Sequence, residues 1–421
     1  MIKANTNPWS WIPTLYFAQG LPYVMVMTVS VIMYKNLDIS NGEIAFYTSW
    51  LYLPWVIKPI WSPLVDIIGS KRRWVVMMQL LLGASLACVA LTIPMDSFFQ
   101  YSLAFLWLMA FSSATHDIAA DGLYLIALNS GQQSFFVGIR STFYRISMIA
   151  GQGLLVVLAG YFEETMPSIQ MAWSTVFGVV SALFFGFFIY HQLFLPKAEE
   201  PVTVKKTGRQ VLAEFFETFR LFFTKPDLLM TIAFLMTYRL GESQLVKLSS
   251  PFLLDDVTVG GLGLSTQEVG VMYGTFGVLA LTIGGIVGGV LASRNGLKHW
   301  IWWMMLAINL PNLVYVYLSF FQPDSYVLIT TAVVVEQFGY GFGFTGYMLY
   351  MLYVSQGNYS TAHYAIATGF MALGMMLPGM VSGWVQELVG YKYFFIWVMI
   401  ATIPSFVITR FLKIDKDFGK K

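Results

Sequence analysis

An all-α protein that crosses a membrane many times is what this sequence predicts, and its composition, its basic residues and its single long polar stretch each point there. Hydrophobic residues fill 57% of the 421 positions and charged residues only 11%, against about 25% charged in a soluble domain. Glycine is abundant, at 36 residues, as it is in membrane helices. The net charge of +2 gives no reason to expect a nucleic-acid partner, because the basic residues gather at the ends of apolar runs. Cys88 is the sole cysteine, so no internal disulfide framework is available, and its apolar setting makes it a packing residue. The polar start of the chain, followed by a run long enough to span, predicts no cleavable leader.

A hydrocarbon core takes about 20 apolar residues per helix. Twelve such runs lie near 9–34, 41–65, 74–95, 98–127, 133–161, 168–194, 226–254, 265–291, 298–321, 324–353, 360–386 and 389–412. If the N-terminus is cytoplasmic, Lys35 and Lys392 are the only basic residues on the opposite side, and Lys58, Arg145, Arg239 and Lys247 lie within helices. The rest of the 24 Lys and Arg then fall on the cytoplasmic side. The positive-inside rule therefore predicts that both termini are cytoplasmic.

The long polar stretch, 196–225, divides the chain into a first bundle over 1–195 and a second over 226–421. Within it Val211, Phe215, Phe219 and Phe222 recur at near-helical spacing, which predicts an amphipathic helix on the inner membrane surface. Two six-helix bundles joined by a cytoplasmic connector resemble the layout of the major facilitator superfamily, whose substrate site lies between the halves near the midplane.

Charges at bilayer depth carry the functional reading, because they are costly unless they face a polar path or a partner. Asp117 and Asp121, in Ala114-Thr115-His116-Asp117-Ile-Ala-Ala-Asp121-Gly122, are four residues apart and so share one helix face. The predicted topology brings Lys58, Arg140 and Arg145 to similar depth, giving three basic residues opposite two acids. Ion pairs that merely hold the bundle together are the plainer account of the same residues. His116 could serve proton transfer or a simple polar helix contact.

In the predicted seventh span, Tyr238-Arg239-Leu-Gly241-Glu242-Ser-Gln244-Leu-Val-Lys247 places a glycine where the helix is expected to weaken, and unwound backbone is tolerated there only beside a cavity. Arg239 and Glu242 are spaced to pair with each other, while Lys247 has no acid nearby in sequence. Glu336, followed by Gln337, is the only charged residue in the interior of the tenth span. A lone carboxylate in such a setting is suited to taking up and releasing a proton.

The connection Pro63-Leu-Val-Asp66-Ile-Ile-Gly69-Ser-Lys71-Arg72-Arg73 resembles the superfamily's signature loop. Asp66 could latch the inner side shut against a helix N-terminus, with Gly69, Arg72 and Arg140 as its companions. In the second half Gly296 and Lys298 repeat, but Ser293 replaces the acid, so a one-sided latch is expected. Gly284, Gly285, Gly288 and Gly289 form small-xxx-small pairs expected to serve close helix packing. His191, His299 and His363 sit near helix ends and are given no role. The chain has no P-loop, HExxH, cysteine pair or Gly-x-Ser-x-Gly, so neither an ATPase nor a membrane-embedded enzyme is predicted, and no metal site is expected.

The stretch around Asp117 and Asp121 is similar to the Ala-Thr-Gln-Asp-Ile-x-x-Asp-Gly/Ala segment of the AmpG-like muropeptide permeases and the acetyl-coenzyme A transporters related to them. Trp55 to Asp66, Phe143-Tyr144-Arg145, Tyr238-Arg239-Leu-Gly241-Glu242 and Glu336-Gln337-Phe-Gly-x-Gly resemble the same family. His116 stands where the family has Gln, Leu123 where it usually has Trp, and Arg239 and Glu242 where it has Lys and Asp. The resemblance implies uptake of an anhydro-N-acetylmuramyl sugar or muropeptide across the bacterial inner membrane, driven by a proton gradient and needing no other cofactor. It would give Asp117 and Asp121 to coupling or substrate binding, and Arg145, Arg239 and Glu242 to the lining of the path. The expected partners are the small solute and the lipid bilayer, with the protein acting as a monomer. Carriage of another solute (a siderophore, a simple sugar or an acyl-coenzyme A) uses the same architecture, and a membrane receptor that transports nothing is the alternative of another class.

Overall fold

The computed structural model describes residues 7–67, 70–128, 130–197, 208–356 and 360–420. Regular structure among them is entirely helical. Among the described residues, nine stretches are long and apolar enough to cross a membrane, from Pro8–Asn36 to His363–Thr409. That last stretch holds two spans, because the helix Ser360–Ala401 is interrupted at Gly390, whose φ of 74° lies in the left-handed region that glycine alone enters freely. Two further rods are each split into a pair of helices: Asn41–Trp50 with Leu53–Ile67, and Leu228–Thr237 with Leu240–Leu254. Together these occupy the twelve positions read from the sequence.

The outer surface suits a lipid solvent. Leu91, Leu193, Leu229, Val327 and Leu388 are each at least 70% exposed, a pattern that in water would mark a large association patch.

Local chemistry explains the interruptions. The second rod breaks at Leu51 and Tyr52 and restarts just before Pro54, a position in the first turn where a missing N–H costs nothing. The seventh span breaks at Tyr238 and Arg239, with Arg239 at φ −111° and ψ 22°. This corrects the expectation that the helix weakens at Gly241. That glycine lies inside the second helix, where an added Cβ would meet Thr402 Cγ2 at 2.7 Å and Val398 O at 2.8 Å. It is there to let the twelfth span approach.

The described chain forms two compact units. One comprises Met1–Leu37 with Ile57–Val211, the other Asp38–Val56 with Leu212–Lys421. The helix Asn41–Trp50 therefore groups with the later residues, although it lies within the first bundle drawn from sequence. Its anchors are the end of the eleventh span and the start of the twelfth: Gly42 N donates to Glu387 Oε1 at 2.7 Å, and Asn41 Nδ2 donates to Gln386 Oε1 at 2.8 Å and to Tyr391 Oη at 2.9 Å. A helix, Gly208–Phe223, occupies the connector, with Phe222 buried and Phe216 exposed.

In the first unit, the core of Trp11, Leu15, Tyr16, Val75, Ala119, Leu123 and Tyr124 joins the first, third and fourth spans. In the second, Phe234, Tyr238, Ile301, Met305, Tyr347 and Tyr350 do the same for the seventh, ninth and tenth. Glycine lets the tenth span, Tyr326–Val354, sit tightly between two neighbours. Gly341 abuts the backbone of Leu281, whereas Gly339 and Gly343 abut the backbones of Ala307 and Met304. Gly284 and Gly288 meet the tenth span's backbone from the other side, at Phe338 and Phe342.

Candidate functional site

In the first unit the acid pair lies on the fourth span, Phe98–Ala127, one turn apart on a common face. Lys58 Nζ stands 3.9 Å from Asp117 Oδ2. Arg140 Nη1 lies 3.3 Å from Asp121 Oδ1 and donates to Tyr16 Oη at 3.0 Å, and that hydroxyl donates to Asp121 at 3.1 Å. The guanidinium carbon sits 4.8 Å from the Tyr16 ring centre and 4.9 Å from that of Tyr124, an arrangement in which ring faces add to the carboxylate's attraction. Arg145, further along the same span as Arg140, is exposed. Asp117 is the more enclosed acid, at 15% side-chain exposure against 47% for Asp121.

His116 points elsewhere, because neighbouring helical residues are about 100° apart around the axis. It is fully buried, and its Nε2 lies 3.0 Å from Gln79 Nε2. Gln79 Oε1 is 2.9 Å from His191 Nδ1, and His191 Nε2 is 2.9 Å from Thr14 Oγ1. Four polar side chains on four helices thus form one hydrogen-bonded chain, buried from His191 to His116 and half-buried at Thr14. The sequence offered no role for His191, and its place beside Gln79 is visible only once the first, third, fourth and sixth spans are packed.

The residues that the sequence marks for gating divide. The side chain of Asp66 and all of Gly69 lie outside the described residues. Arg72 Nε donates to Leu195 O at 3.2 Å, and its Nη2 donates to Gln192 O. Arg72 therefore caps the C-terminal carbonyls of the sixth span, where a cation is favoured. Lys71, not singled out from sequence, is buried and donates to Val65 O at 3.1 Å. Its stem lies over Gly122, where an added Cβ would meet Lys71 Cε at 2.9 Å. The glycine after Asp121 makes room for a residue of the signature loop.

In the second unit Arg239 and Glu242 pair through two hydrogen bonds, at 2.5 and 3.0 Å, with both side chains buried. Tyr340 Oη takes a third bond from Arg239 at 2.8 Å. The guanidinium also lies 5.1 Å from the ring centres of Tyr340 and Phe344. Tyr238 stacks on Tyr347 at 4.8 Å and donates to Gly343 O at 2.8 Å, which makes it part of the core beside the break. Glu336 is buried and accepts a hydrogen bond from the neighbouring Gln337 at 2.9 Å. Lys247, also buried, donates to Thr48 Oγ1 at 2.9 Å. The sequence reading missed Tyr16, Tyr124, Tyr340 and Thr48. Each is an ordinary aromatic or hydroxyl residue in an apolar run, with nothing in its own neighbourhood to announce a charged partner.

Two units with acids and bases inside their bundles form a setting for moving polar solutes rather than for bond chemistry. The model of the Major Facilitator Superfamily matches residues 14–383. The chain belongs to that superfamily. It is a multi-pass membrane transporter and not an enzyme. Over 406 residues it is 26% identical to the anhydromuropeptide permease of Escherichia coli strain K12, covering 94% of this chain and 77% of the relative. It is also 24% identical to a putative AmpG transporter of Rickettsia conorii, over 94% of each. Among solved structures, a D-xylose-proton symporter aligns over 98% of each chain with a TM-score of 0.71 at 12% identity. The nucleoside transporter NupG aligns over 96% of this chain and 98% of its own, with a TM-score of 0.67 at 17% identity. At such identities the likeness to solved structures is one of fold.

Proposed function

We propose that this transporter imports anhydro-N-acetylmuramyl sugars or muropeptides across the bacterial cytoplasmic membrane together with a proton, with both termini on the cytoplasmic side and the protein acting as a monomer. The observation that carries the reading is the enclosed Asp117, 3.9 Å from Lys58, inside a span of a chain similar to a named anhydromuropeptide permease along 94% of its length. A carboxylate beside a lysine can take up a proton as the lysine turns to an anion on the solute, so that no charge is left stranded in hydrocarbon. The solute offers matching chemistry. A muropeptide carries carboxylates and, in its peptide, an ammonium, and the two units supply Lys58, Arg239 and Lys247 on one side and Asp117, Asp121, Glu242 and Glu336 on the other.

The test is uptake by proteoliposomes of the purified chain under an imposed pH gradient. An anhydromuropeptide should accumulate, with proton entry that depends on it, while siderophores, simple sugars and acyl-coenzyme A should neither accumulate nor compete. Accumulation of one of those solutes instead would reassign the substrate. Absence of any solute-dependent proton movement would remove the coupled mechanism.

A further inference from the structure

The second unit holds a buried cation for which no carboxylate stands ready. Lys247 is 3% exposed. Its ammonium has Thr48 Oγ1 at 2.9 Å and the centre of the Tyr52 ring at 5.2 Å. The hydroxyl proton of Thr48 is given to Ile44 O at 2.6 Å, so towards Lys247 that oxygen acts only as an acceptor. A lone pair and a ring face are both partners an ammonium can use. Among the described residues, no Asp or Glu oxygen makes an ion pair with it.

The surrounding groups do not complete the site either. Glu242, on the same helix, is committed to Arg239. Gln244 is occupied by Leu240 O and Trp397 Nε1, and Ser243 Oγ by Leu240 O. Ser49 Oγ is buried without a hydrogen-bond partner. It lies beside the stem of Lys247: an added Cβ on Gly379 would meet Ser49 Oγ at 3.0 Å, Lys247 Cγ at 3.4 Å and Ser243 O at 3.5 Å. An ammonium has three N–H donors, and one hydroxyl and one ring leave it under-supplied. A buried charge in that condition is costly unless something completes it.

We propose that Lys247 is the seat of an anionic substituent, a carboxylate, on the transported solute, with Thr48 holding the ammonium and Ser49 as the hydroxyl left to donate. The choice of first probe rests on the muropeptide reading, because an anhydromuramyl sugar bears a lactyl carboxylate, but the seat itself requires only that the cargo be an acid.

The experiment compares matched acids and amides on the purified full-length chain by calorimetric titration. The pairs are 1,6-anhydro-N-acetylmuramic acid and its amide, N-acetylneuraminic acid and its amide, and gluconate and gluconamide. The expected result is that the anhydromuramic acid binds roughly tenfold or more tightly than its amide, the scale of a charge-assisted hydrogen bond. Lys247→Met should erase that preference while leaving the amide's affinity in place, and Lys247→Arg should keep it. Elution and thermal midpoint of both variants report folding, and Lys247→Met should melt no lower than the parent because it removes an under-supplied buried charge. Preference for a different acid, lost in Lys247→Met, supports the seat and overturns the muropeptide reading. Equal affinity for every acid and amide, no binding by any acid, or a preference that survives Lys247→Met overturns the seat.

Discussion

The Glu242 carboxylate accepts two hydrogen bonds from one guanidinium, that of Arg239, where the seventh span breaks and restarts. Glu242 is fully buried, so its charge depends on that one partner. Arg239→Met should destabilise the detergent-purified protein by about 3–5 kcal/mol, because it strands a buried carboxylate. Adding Glu242→Leu should recover most of the loss. Thermal midpoints of the two single variants and the double variant measure the coupling, and an additive result would mean the pair is not a unit.

The two acids of the fourth span should separate stability from transport. Asp121 and Arg140 are half-exposed, and such pairs contribute about 1 kcal/mol or less, so Asp121→Asn should barely shift the melting point. Asp117→Asn should likewise fold and reach the membrane, yet fail to accumulate solute against a pH gradient. Wild-type accumulation by that variant would remove Asp117 from the coupling step.

Glycine packing can be tested by contrast. At Gly341 a methyl group would meet Leu281 C at 2.7 Å and Cα at 2.9 Å, whereas at Gly289 nothing lies within 4 Å. Gly341→Ala should cost about 1–3 kcal/mol through overpacking against rigid backbone. Gly289→Ala should be neutral or gain up to about 1 kcal/mol from helix propensity. Unfolding in detergent reads both.

Gln79 is the middle of the hydrogen-bonded chain from Thr14 to His116. Gln79→Leu leaves the facing nitrogens of His116 and His191 without their amide partner. Each buried polar group so stranded costs about 1–3 kcal/mol. The variant should therefore melt well below the parent, and Gln79→Asn, too short to reach both rings, should fall between them. An unchanged midpoint for Gln79→Leu would show that the two imidazoles find other partners.

Some of the site was legible one residue at a time. Asp117 and Asp121 announce themselves because an acid in an apolar helix is rare, and their common face follows from helical spacing. The partners were harder. Tyr16 lies 105 residues from Asp121, and only packing of the first, fourth and fifth spans brings its phenol together with the Arg140 guanidinium and the carboxylate. Arg72 stands out in its loop motif, and only packing shows that it caps the sixth span. Gly241 reads as a weak point, yet the backbone breaks at Tyr238 and Arg239 and the glycine admits Thr402.

From sequence alone came the membrane class, the twelve spans and the charges inside them, since transfer of a side chain into hydrocarbon depends mainly on its own polarity and that of its helical neighbours. Tertiary structure alone decided which charge meets which, that Asn41–Trp50 packs with the later spans, and that Lys247 is left with a hydroxyl and a ring. Those outcomes depend on distances between helices remote in sequence, and within any one helix an aromatic or serine looks the same whether or not a charged group from another span comes to rest on it.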